Sequence, residues 1–495
     1  MLTQKHSYRS MFKAAGLFGG VQVIQILTVL VRSKFIAILL GPAGMGVSSL
    51  FLSTTAMIGN IAGLGLNFSA VRDISQAAET NDISKVSRIL KIISRWIWVS
   101  GLIGMISTLA FAPYLSQFAF GNKDYTWAFV WLSVTLLLNA LSSGNIALMQ
   151  GMHKLKSVAK SSVIGSVVGL TTSVPLYYFY GIKGIVPALI LASLSAFIIS
   201  FFLARKIEKV PVKVSYSETY REGQEMVKLG VIMMISVFIG TFVTYIVNAF
   251  ISHKGGIEDV GLYQAGISIT NQYVGLVFGA MSVDYFPRLS AISVDNKKVR
   301  ELANQQGEIV LLIAAPLLVA LIVTAPLVIR ILLSPEFYSI TKFIRFIAVG
   351  MLFKAASFAV GYISFAKGDK KVFFIVEGVI GNFMTLLLNV VAYSFWGLNG
   401  LGISFLLSYV LYFILILGVT KRLYSFTLEM RFIKLFQIFL LLCLISFVVM
   451  VSIDTTWSYV LGGLIFLISV IISYREMEKR IDLKSFINSR FNRPR

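Results

Sequence analysis

Apolar residues fill this chain in long runs that short polar segments interrupt. Fourteen runs stand out: 14–39, 46–70, 96–116, 127–149, 160–180, 185–204, 229–251, 261–283, 307–333, 341–365, 372–395, 400–420, 435–453 and 458–474. None alternates apolar and polar residues as a membrane barrel strand does. Most approach the ~20 residues a helix needs to cross a ~30 Å hydrocarbon core. In lipid, each backbone N–H and C=O must bond within its own segment, so every run is predicted to be a transmembrane helix. The expected fold is an all-α polytopic membrane protein of about fourteen helices.

The pattern also repeats. Val163-Ile164-Gly165 returns as Val379-Ile380-Gly381, and Gly181-Ile182-Lys183-Gly184 as Gly397-Leu398-Asn399-Gly400. Arg72 returns as Arg288, Ala112-Pro113 as Ala325-Pro326, and Gly151 as Gly368. Several matches in one order at nearly one offset point to a duplicated helix bundle, a plan many transporters use to build two halves around a central site. Four regions follow. Residues 1–205 hold six helices and form a first lobe. Residues 206–228 form a charged linker with an amphipathic patch, expected at the cytoplasmic membrane face. Residues 229–420 form a second six-helix lobe. Residues 421–495 add two helices and a basic cytoplasmic tail, with no counterpart expected in the first half. Gly41-Pro42-Ala43-Gly44-Met45-Gly46 reads as a tight outer turn between the first two spans. Pro175, Pro187, Pro316 and Pro326 fall within runs, where each removes a helical hydrogen bond and bends its helix.

Charge fixes the expected orientation. Of 44 Lys and Arg, 35 fall in segments on one side if the N-terminus is cytoplasmic, and five lie within spans. Only Lys123, Lys183, Lys254 and Lys342 fall in the opposite loops. This is the positive-inside pattern, and it places both termini in the cytoplasm. The net charge of +22 then follows from topology and contact with anionic lipid, with no nucleic acid required. No cleavable leader is evident in the first run. The lone Cys443 lies in an apolar run and reads as packing. His6, His153 and His253 are scattered in loops or at helix ends and make no metal site. No cofactor is expected. The polar segments are too short for a soluble catalytic domain, which takes ~50 residues or more, so the chain is not expected to be an enzyme.

The informative polar residues are the charges inside spans, since a charge at mid-bilayer costs ~3 kcal/mol on insertion scales. Arg32 and Lys34 lie toward the outer end of the first span, and Arg330 near that of the ninth. Arg345 and Lys354 lie in the tenth. Lys354 is at least ~16 Å from either edge, beyond what its side chain can span by snorkelling. It is expected to face a cavity, where it binds substrate or pairs with Glu377 of the eleventh span. Glu377 and Asp284 are the candidates for ion coupling or such pairing; Glu308 sits at an inner end. Basic groups outnumber acidic ones within the spans, which suits an anion such as a pyrophosphate. Tyr245, Asn248, Tyr263, Gln264, Asn271, Gln272 and Tyr273 add groups that suit sugars, though helix packing and interfacial belts use the same residues.

With these residues in hand, the chain resembles the Wzx-type O-antigen flippases, the polysaccharide-transporter branch of the MOP superfamily. Arg32-Ser33-Lys34-Phe35 through Gly41-Pro42-Ala43-Gly44-Met45-Gly46 carries the likeness first. Phe120-Gly121-Asn122-Lys123-Asp124-Tyr125, Val260-Gly261-Leu262-Tyr263-Gln264-Ala265 and Tyr285-Phe286-Pro287-Arg288-Leu289-Ser290 extend it, over about residues 10–425. The resemblance implies two six-helix lobes around a cationic cavity, working by alternating access. It implies a bacterial inner membrane and an undecaprenyl-pyrophosphate-linked oligosaccharide as cargo, with other polysaccharide assembly proteins as candidate partners. Only Arg32 and Lys34 match a basic position of that family; Lys354, Arg345 and Arg330 rest on depth. A flippase for lipid II or another envelope precursor is the alternative. A drug or cation antiporter of the same superfamily should carry a carboxylate in the first or seventh span, and residues 14–39 and 229–251 contain none.

Overall fold

The computed structural model describes residues 2–453 and 456–481 apart from 81 and 209. For 2–19 and for 68, 229, 232, 233, 236, 276, 280–284 and 481 it describes the backbone alone. The helices are α1 (Leu2–Ala62), α2 (Leu66–Glu79), α3 (Ile83–Phe120), α4 (Thr126–Gly151), α5 (Leu155–Tyr180), α6 (Ile185–Ala204) and α7 (Tyr216–Gly255). Then come α8 (Ile257–Ala291), α9 (Asn296–Leu332), α10 (Thr341–Ala366), α11 (Lys370–Phe373), α12 (Gly381–Tyr424), α13 (Met430–Ser452) and α14 (Thr456–Ile481). A π-helical turn, Phe374–Ile380, joins α11 to α12.

Ten helical stretches are long and apolar enough to cross a bilayer. Gly20–Ala62, Leu155–Ala204 and Lys370–Tyr424 are each two helices meeting at a positive-φ glycine: Gly41 at 63°, Gly181 at 55° and Gly397 at 57°. With α8, 35 residues and about 52 Å long at 1.5 Å per residue, the described residues make fourteen crossings. The fold is thus all-α and polytopic. No loop separates the first two crossings: Gly41 alone turns the chain and the helix resumes at Pro42, whose fixed φ suits a first turn.

The duplication is visible in backbone geometry. Gly181 and Gly397 share (φ, ψ) of (55°, −137°) and (57°, −140°). A Cβ on Gly184 would lie 2.2 Å from the Leu176 carbonyl oxygen, and one on Gly400 would lie 2.0 Å from that of Ala392. Asp82 caps α3 by accepting from Ser84 and Lys85 N–H; Asp295 caps α9 by accepting from Lys297 and Lys298 N–H. Helices α4 and α10 have 26 residues each, at an offset of 215 (341 − 126 and 366 − 151). Before them the offset is 213 (295 − 82), and after the π turn it is 216 (397 − 181). One correction follows. The counterpart of Gly368 is His153, not Gly151. Both have positive φ, 54° and 73°, and matching bonds follow them, Lys154 N–H to Met149 and Asp369 N–H to Ser364.

The chain forms two compact units, residues 1–261 and 262–495. In the first, α3 packs on α4, α4 on α6, and α7 on α1 and α3. The segment before α7 is strapped to α3. Lys91 Nζ donates to the Val212 carbonyl (2.7 Å), the Arg95 guanidinium to those of Val214 (3.1 Å) and Ser215 (3.2 Å), and Trp96 Nε1 to that of Thr219 (2.9 Å). Ser215 and Glu218 close the α7 N-terminus as a reciprocal capping box. The Ser215 N–H, then the Arg88 guanidinium, hold the Glu218 carboxyl down at about 2. In the second unit, α10 packs on α9 and α12, and α9 also meets α13 and α14. A second strap precedes α13: buried Asn304 of α9 donates to the Thr427 carbonyl (3.1 Å) and accepts from Glu429 N–H (2.8 Å). So α13 docks on α9 as α7 docks on α3. Cys443 is buried in α13. Glu308 of α9 accepts from Arg480 of α14 (2.6 Å).

Candidate functional site

The strongest concentration of polar chemistry at membrane depth lies inside the second unit. A cavity of about 580 Å³ opens between α10, the π turn and α12, with Lys354, Ser357, Glu377, Asn382, Tyr409 and Tyr412 on its wall. Lys354 is 13 residues from Thr341 and 12 from Ala366, so no part of α10 is deeper. Its ammonium lies 5.3 Å from the Tyr409 ring centroid and 5.8 Å from that of Phe278. Two aromatic faces at such distances hold a cation without cancelling its charge. Among the described residues Lys354 has no carboxylate within 4.0 Å. The expected pairing with Glu377 is therefore corrected: the Glu377 carboxylate accepts from the Tyr412 hydroxyl instead.

The local backbone explains that choice. Seven residues, Phe374–Ile380, wind as a π turn, which carries one residue more than an α turn and widens the helix. Widening leaves carbonyls poorly matched, and Asn382 Nδ2 donates to those of Glu377 (3.0 Å) and Gly378 (2.9 Å). Gly361 of α10 supplies the clearance. A Cβ there would stand 2.9 Å from the Tyr412 hydroxyl and 3.4 Å from the Glu377 carboxylate.

The other charges anticipated from the sequence are placed elsewhere. Arg345 is 8% exposed and donates to the carbonyls of Ile322 (3.1 Å) and Met450 (2.6 Å), so it ties α10 to α9 and α13. Arg330 is exposed near the end of α9. Arg32 donates to the Tyr177 hydroxyl across to α5 (3.2 Å), and Lys34 is half-buried on the same helix. The side chains of Asp284 and His6 lie outside what the structure describes, as does the whole tail from 482. Lys354 and Glu377 are the two anticipated residues that one cavity brings together. Of the polar residues on α7 and α8, Tyr245 stacks on Phe118 (5.4 Å) and Asn248 is buried, which is packing. The sequence reading missed Tyr409, Tyr412 and Asn382. Their signal was spacing, since 409 and 412 share a face three residues apart.

A family model for polysaccharide biosynthesis proteins matches residues 35–342. A protein of Escherichia coli K12 named lipid III flippase is 24% identical over 422 residues, covering 83% of this chain and 98% of its own. Among solved structures, the lipid II flippase MurJ in an inward closed conformation superimposes with a TM-score of 0.71 at 16% identity, over 95% of this chain and 99% of its own. An inward-facing multidrug transporter of the MATE family, in the MOP superfamily, gives 0.68 at 15% identity, over 83% of this chain and 98% of its own. These likenesses place the fourteen crossings in the MOP fold.

Proposed function

We propose, from the premise that the chain belongs to the polysaccharide biosynthesis protein family, that it is a flippase for an undecaprenyl-pyrophosphate-linked oligosaccharide. Lys354 carries the reading. It is a cation at mid-membrane depth, on the wall of a cavity, flanked by two aromatic rings and not neutralised by Glu377. Such a group favours the pyrophosphate of a lipid-linked sugar, and the rings offer faces for a sugar or isoprenoid. The names of the lipid III and lipid II relatives support a lipid-linked envelope precursor. O-antigen repeat units and other precursors differ in their sugars, and O-antigen remains our reading of the cargo.

The six-helix lobes, 1–205 and 229–420, exchange access to the two membrane faces by rocking, as duplicated transporters do. Arg32, Lys34, Arg330 and Arg345 contribute to the cationic field around the path, and Asp284 and Glu377 are the groups available for ion coupling. The protein sits in the bacterial inner membrane with both termini cytoplasmic, beside the other assembly proteins of its polysaccharide.

The test is transport by purified protein in proteoliposomes that carry a fluorescent undecaprenyl-pyrophosphate sugar. Lys354→Ala should leave the protein in the membrane and cut flipping about 10- to 100-fold, the loss expected for one charge-assisted contact. Lys354→Arg should retain more. Wild-type flipping by the alanine variant sinks the assignment. A reporter fused after Arg495 should read as cytoplasmic.

A further inference from the structure

We propose that the first unit holds a second, charge-free subsite centred on Asn139, which takes an uncharged sugar ring of the cargo; it rests on the lipid-linked sugar reading above. A cavity of about 290 Å³ lies between α1, α2, α3 and α4. Its polar wall is Thr55, Asn60, Asn67, Ser100, Asn139 and Ser143, and among the described residues no charged side chain lines it. Two hundred and ninety cubic ångströms is near the small end of ligand pockets, ~300–1,000 Å³, so it suits one ring rather than a whole repeat unit.

Three observations converge on Asn139. First, it is exposed although it is 13 residues from Thr126 and 12 from Gly151, at the middle of a membrane-crossing helix. An amide side chain is too short to reach either interface from there. A bare amide in hydrocarbon is unfavourable, so its exposed face belongs to a wet cavity. Second, Asn139 and Asn67 have no hydrogen-bond partner among the described residues, and Asn60 uses only its Nδ2, donated to Thr241 Oγ1 (3.1 Å). Third, Asn139 is the repeat counterpart of Lys354 (354 − 139 = 215, the offset of α4 and α10). One position of the duplicated fold therefore faces a cavity in each unit, cationic in one and neutral in the other.

Amide chemistry selects the ligand. Each Asn offers two donors and an acceptor, which matches hydroxyl and acetamido groups that both donate and accept. A phosphate would be desolvated here without a counter-charge. Gly59 adds open floor, since a Cβ there would meet nothing within 4 Å.

The experiment measures binding to full-length protein in nanodiscs with two probes, undecaprenyl pyrophosphate and N-acetylglucosaminyl-pyrophosphoryl-undecaprenol. Asn139→Leu and, separately, Asn67→Ala should weaken the sugar-bearing lipid about 3- to 10-fold, the loss of one hydrogen bond, and leave the bare lipid unchanged. Asn139→Ser, which keeps a small polar group, should fall between wild type and Asn139→Leu and guards against simple misfolding. Lys354→Ala should weaken both probes alike. Wild-type binding of the sugar-bearing lipid by Asn139→Leu and Asn67→Ala overturns the subsite; so does equal weakening of both probes, which marks a packing role. If Lys354→Ala leaves both probes intact, the proposed pyrophosphate site fails, and the subsite is judged on the difference between probes alone.

Discussion

Asn139 and Lys354 hold one position of a duplicated fold, and their neighbours differ as much as they do. Around Lys354 stand Glu377 on a π turn, Tyr412 bonded to it, and Gly361 clearing space for both. The repeat counterparts are Ser161 and Ser162 on the unbroken helix α5, Ala196 in α6 and Ile146 in α4. So the second unit carries an ionisable cluster where the first, among the described residues, carries none, and the first cavity is lined by amides and hydroxyls. Backbone symmetry and chemical symmetry have parted: the capping aspartates and the Gly181 and Gly397 turns still match, and the cavity walls do not. For a lipid-linked sugar, which carries charge at one end and hydroxyls at the other, unlike cavities are more useful than equal ones.

The comparison is broken most directly by making the cavities alike. Lys354→Asn turns the second cavity into the first and should reduce flipping about 10- to 100-fold. Adding Asn139→Lys should not restore it, because no aromatic ring lines the first cavity among the described residues. Recovery in the double variant would mean that position, not surroundings, decides.

A smaller effect is expected from the acidic cluster. Gly361→Ala puts a methyl 2.9 Å from the Tyr412 hydroxyl and should part it from Glu377. Flipping should fall about 3- to 10-fold, less than for a lost contact to the cargo because this bond lies within the cavity wall, and Tyr412→Phe should do the same. Full additivity of the two substitutions would show that they act separately, against the geometry.

The matched glycines probe what the halves still share. Gly184→Ala and Gly400→Ala each force a methyl to within 2.2 Å and 2.0 Å of a carbonyl oxygen. Each should destabilise by about 1–3 kcal/mol, by nearly equal amounts, as judged by thermal unfolding in detergent. A large inequality would argue against equivalent turns.

The smallest effect concerns the first strap. Its Glu218 titrates at about 2, below the ordinary value of 4.5, because the folded state favours the carboxylate. A depressed value gives stability that is complete above pH 4.5 and lost as pH falls through about 2. Hydrogen exchange at residues 212–219, corrected for intrinsic rates, should hold steady from pH 7 to 5 and rise progressively below about 4.5. The second strap uses the neutral Asn304 and should show no such rise.

Much of this fold was legible because membrane insertion writes itself in composition. Fourteen apolar runs became fourteen crossings among the described residues, and the repeated Gly181 and Gly397 returned with one pair of dihedrals. The site was legible only in part. Depth singled out Lys354, but the same argument raised Arg345, which two carbonyls absorb. Hydropathy records that a charge is deep and not which way it points. The Tyr412–Glu377 bond and the strap at Asn304 depend on residues far apart in sequence. Asn139 was readable in principle by subtracting the repeat offset from Lys354, yet a single amide in an apolar run draws no attention alone.

The π turn has one more consequence, and it concerns register. The repeat offset is 215 before Phe374–Ile380 and 216 after it, so the turn holds one residue more than the matching stretch of α5. An inserted residue would swing every later side chain by about 100° unless the helix absorbed it, and a π turn is how a helix absorbs one. The carboxylate rides on that absorbed residue. Deleting Val376 should return the turn to α-helical register and withdraw Glu377 from Tyr412, leaving a protein in which the two halves wind alike.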